Sequence, residues 1–165
     1  MLDGGQGGSV RVVLTTERLI LRRLTEADVD NLVELDSDPA VLRYINGGTP
    51  TPRDVIRDEI LPRFLGYYHR SDGYGFWAAI EQSSGEFLGW FCLHPDEAQG
   101  LDIASLGYRL RQSAWGNGYG TEGARALIRK GFTELGAQCI VATTYELNVA
   151  SRRVMEKAGM KLMRT

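Results

Sequence analysis

Charge of one sign is what this chain most lacks. Its 19 Lys and Arg against 21 Asp and Glu leave a formal net charge of −2, so no long-range field draws it to nucleic acid or to an anionic membrane. The adjacent arginines, Arg22-Arg23 and Arg152-Arg153, are isolated pairs and make no basic tract. Cysteine is scarce as well. Cys92 and Cys139 lie in apolar, strand-like segments, where a free thiol behaves as a small hydrophobe, which fits a reducing cytoplasm and no disulfide framework. Long apolar runs are missing too: none approaches the ~20 residues that a membrane span needs. Met1 to Ser9 has no basic start followed by an apolar stretch, which argues against a secretory signal and for a flexible lead-in.

What is present suits one ordinary globular domain, expected over residues 10–165: 165 residues in all, 43% hydrophobic and 24% charged. Val10 to Leu24 reads as a first strand bent in the middle. Thr25 then caps a helix that carries Val29, Leu32, Val33 and Leu35 on one stripe and stops at Ser37-Asp-Pro39. A short helix follows around Ala40 to Ile45. Thr51-Pro52 opens another, with Val55, Ile56, Ile60, Phe64 and Leu65 at helical spacing and Pro62 placed to kink or divide it. Phe76 to Glu81 and Phe87 to Leu93 form a hairpin around Gln82 to Gly85, and Asp96 to Leu101 is an acidic loop. Ile103 to Leu110 is a strand. Thr121 to Leu135 is an amphipathic helix closed by Gly136, Ile140 to Tyr145 a strand, Asn148 to Lys157 a short helix before Gly159, and Met160 to Arg164 the start of one more strand.

The chemistry gathers at Trp115-Gly116-Asn117-Gly118-Tyr119-Gly120, where a strand gives way to a helix through three alternating glycines. Glycine allows the backbone to turn its amides into one small space, and a helix N-terminus adds partial positive charge there, so the stretch is an anion cradle. A Walker-type loop would need Lys after its last glycine, and Gly120 is followed by Thr121-Glu122. The dinucleotide fingerprint GxGxxG fits Gly118 to Gly123 literally, with Glu146 about twenty residues on. Its context does not fit. Arg111 to Trp115 separate the strand from the first glycine, and the strands before the loop are antiparallel hairpins. A glycine-rich turn without any ligand is the simplest competitor.

The neighbouring residues point further. Leu106 to Gly123 resembles the acyl-CoA binding motif of the GNAT superfamily of N-acetyltransferases, and its Trp-Gly-x-Gly-Tyr-x-x-Glu run resembles the branch typified by the RimJ and RimL enzymes. Asn148 to Met160 is similar to that branch's Asn-x-x-Ser-x-x-x-x-Glu-Lys-x-Gly-Phe segment, with Met160 in place of Phe. The stretch from Thr15 to Arg22 resembles its opening strand. Trp115 stands where the wider superfamily usually has Gln or Arg. The resemblance implies an α+β fold of α/β/α layers: a mixed, mostly antiparallel central sheet with a splayed strand pair and flanking helices.

It also implies a role for each site residue. Acetyl-CoA would be the co-substrate, with no metal, and the acceptor a primary amine, on a protein N-terminus or a small molecule. The loop Trp115, Gly116, Asn117, Gly118, Tyr119, Gly120 and Thr121 would hold the pyrophosphate. Backbone groups of Tyr108, Arg109 and Leu110 would meet the pantetheine arm, and an amide near Leu110 would polarise the thioester. Ser151 would protonate the departing thiolate, unless it is only a first-turn hydroxyl of its helix. Asn148 would bond pantetheine or substrate, cap its helix, or do both.

The acceptor amine must lose a proton, and Glu146 and His94, near strand ends, are candidate bases. Tyr67, Tyr68, Tyr74 and Trp77 could line an acceptor pocket or belong to the core. The family's further strand after Met160 is not found before Thr165, which leaves a sheet edge suited to a homodimer. The alternatives are an acyl-CoA sensor or interaction module without turnover and an NAD-binding dehydrogenase.

Overall fold

The computed structural model describes residues 11–71, 73–96 and 102–163. The expected lead-in, nearly all of the acidic loop and the last two residues lie outside these ranges. The described residues form a six-stranded sheet in the order β1-β2-β3-β4-β5-β6. Its strands are β1 Val12–Thr15, β2 Leu19–Arg23, β3 Gly75–Glu81, β4 Phe87–Pro95, β5 Ile103–Leu110 and β6 Cys139–Val141. Neighbours are antiparallel except β5 and β6, which are parallel.

The expected single bent strand at the start is a hairpin instead. Val12 faces Arg22 and Thr15 faces Ile20, with the Thr16 amide donating to the Leu19 carbonyl at 2.8 Å. The reason is a tertiary one, because the turn is held by Glu122, more than a hundred residues away: it accepts from the Thr16 hydroxyl and from the Arg18 amide.

One face of the sheet carries α1 Val29–Leu35, α2 Pro39–Asn46, α3 Arg53–Val55 and α4 Leu61–Arg70. Thr25 and Asp28 form a reciprocal capping box ahead of α1, and Asp38 caps α2, which Gly47 closes at a φ of 85°. Between α3 and α4 the turn Ile56–Ile60 widens to π geometry just before Pro62, which has no amide to donate into the helix ladder, so the expected division falls there. Leu32, Leu35, Ile56, Leu61 and Phe64 from this layer pack on Ala78, Trp90 and Cys92.

The other face carries α5 Tyr119–Thr133 and α6 Val149–Lys157. Tyr119, Ala124 and Leu127 pack on Leu19, Trp77, Phe91, Leu93 and Leu106. Phe87, Trp90 and Cys92 serve one core and Leu88, Phe91 and Leu93 the other, so β4 is buried on both faces. Close approach of α5 depends on Gly123, where an added Cβ would lie 2.3 Å from the Phe91 ring.

Two expected strands differ from the fold. The one predicted over Ile140 to Tyr145 is only the three-residue β6, because after Ser105 pairs with Val141 the chain turns away from β5. Beyond Gly159 no strand forms over the described residues: Leu162 and Met163 are exposed and meet no sheet edge. Cys92 is buried as expected, and burial pushes its thiol up to about 12. Cys139, at the start of β6, is exposed, which corrects its reading as an interior hydrophobe.

Candidate active site

The sheet opens where β5 outlasts β6. Arg111 donates to Leu88 at 2.8 Å and Asp96 donates to Ile103 at 2.7 Å, so odd-numbered residues of β5 turn their backbone groups toward β4. By the alternation of an antiparallel ladder, Leu106, Tyr108 and Leu110 turn theirs the other way. β6 meets only Ile103 to Ser105, which leaves these groups along a gap. The Leu110 carbonyl is taken by the Trp115 indole at 2.9 Å. The amides of Tyr108 and Leu110 and the Tyr108 carbonyl remain along the gap.

A cleft of about 1010 Å³ continues from this gap. Tyr108, Arg109, Leu110, Trp115, Gly116, Gly118, Tyr119, Gly120, Thr121, Asn148 and Ser151 all line it, so eleven of the twelve residues chosen from sequence converge. Asn117 does not. Its amide side chain donates to the carbonyls of Ala114 and Trp115, and its carbonyl accepts from Arg18 at 2.8 Å, so it shapes the loop from outside.

The loop has the geometry of an anion cradle. Gly116 and Gly118 take φ of 78° and 82°, a region that favours glycine. The helix begins at Tyr119, two residues before the expected Thr121, and no side chain caps it. Its first-turn amides, Tyr119 to Thr121, therefore point without intrahelical partners toward the cleft, where the helix dipole adds positive charge. At Gly120 a Cβ would lie 3.3 Å from Val154, so α5 and α6 approach closely beside the cradle.

A brace that sequence reading missed holds this loop. Glu122 accepts from the Arg18 amide at 2.8 Å and from Arg18 Nε at 2.7 Å, while Arg18 Nη1 reaches the Asn117 carbonyl and the guanidinium lies 4.3 Å from the Tyr119 ring centre. Burial raises the Glu122 pKa, but the Thr16 hydroxyl and both Arg18 bonds outweigh it, and the carboxylate is held below its ordinary range. Glu122→Gln should therefore raise KM for an acyl-CoA about fivefold and leave kcat within about twofold, because the brace shapes the cradle and touches no reacting atom. Initial-rate kinetics at saturating acceptor check this split.

Ser151 lies in the first turn of α6, capped by Asn148, whose Oδ1 accepts from the Ser151 amide at 3.2 Å. Asn148 is thus the helix cap and lines the cleft as well. The Tyr108 hydroxyl donates to Ser151 Oγ at 3.3 Å, a pairing not anticipated from sequence, where Tyr108 entered only through its backbone. Burial raises the Tyr108 phenol above its ordinary value, and the Ser151 bond offsets this only in part. Strand parity carried the signal: Tyr108 shares its face with Leu106 and Leu110, under the helices.

Arg109 projects to the opposite face. Its Nη1 donates to both oxygens of Asp36 at 2.9 Å, and its guanidinium lies 5.1 Å from the Trp90 ring centre.

The candidate bases and pocket aromatics lie elsewhere. Glu146 is exposed and does not line the cleft, and His94 packs beside Tyr67 and Phe76. Trp77 is core, Tyr68 binds Leu24 and Phe76, Tyr74 reaches the Leu135 carbonyl, and none of these or Tyr67 lines the cleft. Their apolar bodies are claimed by packing. Among the described residues no group of His, Cys, Asp and Glu is arranged to hold a metal ion, and no helix is long and apolar enough to cross a membrane.

The sheet parts beside a glycine loop and a helix N-terminus, and residues 18–161 match the acetyltransferase (GNAT) domain: the chain belongs to the GNAT acetyltransferase family. It is 31% identical over 158 residues to the FsC-acetyl coenzyme A-N(2)-transacetylase of Aspergillus fumigatus, covering 92% of this chain and 66%, just under two thirds, of that enzyme. The crystal structure of a GNAT-family acetyltransferase from Bacillus anthracis superposes with a TM-score of 0.73 at 26% identity, covering 90% of this chain and 82% of the other. Two structures share the fold alone. RimL, a ribosomal L7/L12 alpha-N-protein acetyltransferase, matches at TM-score 0.74 and 19% identity over 95% of this chain and 83% of its own. The aminoglycoside acetyltransferase AAC(6')-Ib, solved with coenzyme A, matches at 0.70 and 21% over 86% and 83%.

Proposed function

We propose that the protein is an N-acetyltransferase of the RimJ/RimL-like branch that moves an acetyl group from acetyl-CoA to a primary amine within a ternary complex. The observation that carries this reading is the convergence in one cleft of the glycine cradle, the unpaired edge of β5 and the Tyr108–Ser151 pair. Amides of Gly116 and of Gly118 to Thr121 hold the pyrophosphate, and the Tyr108 and Leu110 edge bonds the amide-bearing pantetheine arm. The Leu110 amide polarises the thioester carbonyl. A neutral amine nitrogen attacks that carbon, the C–N bond forms as the C–S bond breaks, the nitrogen gives its surplus proton to water in the cleft, and the sulfur takes a proton.

Ser151 gives that proton. Its Oγ already accepts from Tyr108, so its own hydrogen is free to be donated, and Tyr108 passes its proton to the serine and is reprotonated from solvent. The exposed outer edge of β6 is the surface on which a homodimer would form.

Acetyl-CoA should raise the thermal midpoint, since a ligand at a hundred times its Kd adds about 2.7 kcal/mol to stability, whereas NADH should leave it unchanged. A thiol-release screen over amine classes then tests turnover. Stabilisation by acetyl-CoA with no thiol released for any acceptor would leave a sensor module; stabilisation by NADH alone would overturn the reading.

A further inference from the structure

The cleft and the smaller cavity beside it are positively charged in a chain whose net charge is −2. That second cavity, about 250 Å³, shares Ile45 and Arg109 with the cleft and adds Asp36, Arg63, Phe64 and Trp90. Together their described linings hold the cations Arg43, Arg63, Arg109, Arg153 and Lys157 and one carboxylate, Asp36. The carboxylate is already committed. Asp36 is 5% exposed, and both of its oxygens accept from Arg109.

The cations divide by face. Arg153 and Lys157 lie on α6, beside Val154 and the glycine loop, where the proposed function puts the phosphates of a CoA. Arg43 on α2 and Arg63 on α4 belong to the layer on the other face, the side to which Arg109 projects. Among the described residues neither forms an ion pair. Each lies over a neighbouring ring, Tyr44 or Phe64. On this face, away from the glycine loop and so free for an acceptor, the described cavity linings hold two unpaired guanidinium groups and no uncommitted carboxylate.

Resting on the acetyl-transfer reading, the geometry points to an acceptor amine that carries an anionic group, a carboxylate or phosphate, which Arg43 and Arg63 recognise. A polycationic amine would meet like charge and find no counter-ion. The same field assists chemistry. Nearby positive charge disfavours an ammonium, so the bound amine is shifted toward the neutral form that attacks, although no carboxylate or histidine base lines the cleft among the described residues.

The test compares matched acceptors by thiol release at saturating acetyl-CoA: aspartate with asparagine, glucosamine 6-phosphate with glucosamine, Ala-Asp-Asp-Ala with Ala-Lys-Lys-Ala, and spermidine and kanamycin alone. The anionic member of at least one pair should have a kcat/KM about tenfold higher, and the pair that responds identifies the source of the anion. Arg43→Glu should abolish or invert that preference while KM for acetyl-CoA stays within about twofold, with Arg43→Gln as a milder variant that should halve it or more. The preference should also shrink as NaCl rises from about 50 to about 500 mM. Turnover of spermidine or kanamycin as fast as of every anionic acceptor overturns the inference and leaves acetyl transfer standing. Binding of acetyl-CoA with no turnover of any acceptor overturns both.

Discussion

Tyr108→Phe and Ser151→Ala should each lower kcat by about 10² to 10³ and leave the Kd for acetyl-CoA within about threefold. Neither hydroxyl belongs to the cradle. Tyr108 donates to Ser151 Oγ at 3.3 Å, and the serine amide is satisfied by Asn148, so removing either hydroxyl leaves the helix cap intact. If the two act as one relay, the double variant should be little worse than the poorer single variant, because groups that act as a unit are not additive.

The pH profile adds a second check. The Tyr108 phenol is raised above the ordinary tyrosine value of 10.0 by burial, so a Tyr108–Ser151 relay should stay protonated through the neutral range, and its loss should appear only as an alkaline limb above that value. Full activity in Ser151→Ala would remove the serine from the reaction. A Ser151→Ala effect with a normal Tyr108→Phe would leave the serine acting through water.

Gly89→Ala should destabilise the fold by about 3 kcal/mol or more, the largest stability effect expected of any single methyl group here. Gly89 has a φ of 148°, and an added Cβ would sit 2.0 Å from the Arg109 carbonyl oxygen and 2.8 Å from Leu110 Cα. These are backbone atoms of the neighbouring strand and cannot retreat as a side chain can. The strand is already bulged, since Ala79 faces Gly89 while Ile80 faces Phe87, leaving Leu88 as the extra residue. Gly85→Ala is the control: φ is 76° but nothing lies within 4 Å, so it should cost only about 1 kcal/mol. Urea unfolding of both variants measures the difference. Equal midpoints would mean that β5 can move away from β4 without cost.

The local features were legible in the sequence, and the long-range ones were not. Alternating glycines before an amphipathic stripe mark the cradle because the backbone requirement is met within six residues. Capping by Thr25 and the division at Pro62 follow from single side chains. The opening hairpin was hidden because its turn is fixed by Glu122, a residue of another element. His94 and Glu146 looked like bases from their places at strand ends, yet whether a strand end faces a cleft depends on where neighbouring strands stop. The aromatics Tyr68 and Trp77 were ambiguous for the same reason: only packing decides whether a ring lines a pocket or fills a core.

The bond from the Trp115 indole to the Leu110 carbonyl has a further consequence. An unpaired strand edge is a template for aggregation, and β5 exposes one beyond the end of β6, its short neighbour at the rim. By occupying the last acceptor of that edge, the indole truncates the ladder. A stray β-strand from another chain would find the final rung filled and lose register there, whereas a short guest needing only one or two hydrogen bonds loses nothing. Trp115 thus shortens the edge open to another strand and leaves the amides of Tyr108 and Leu110 accessible.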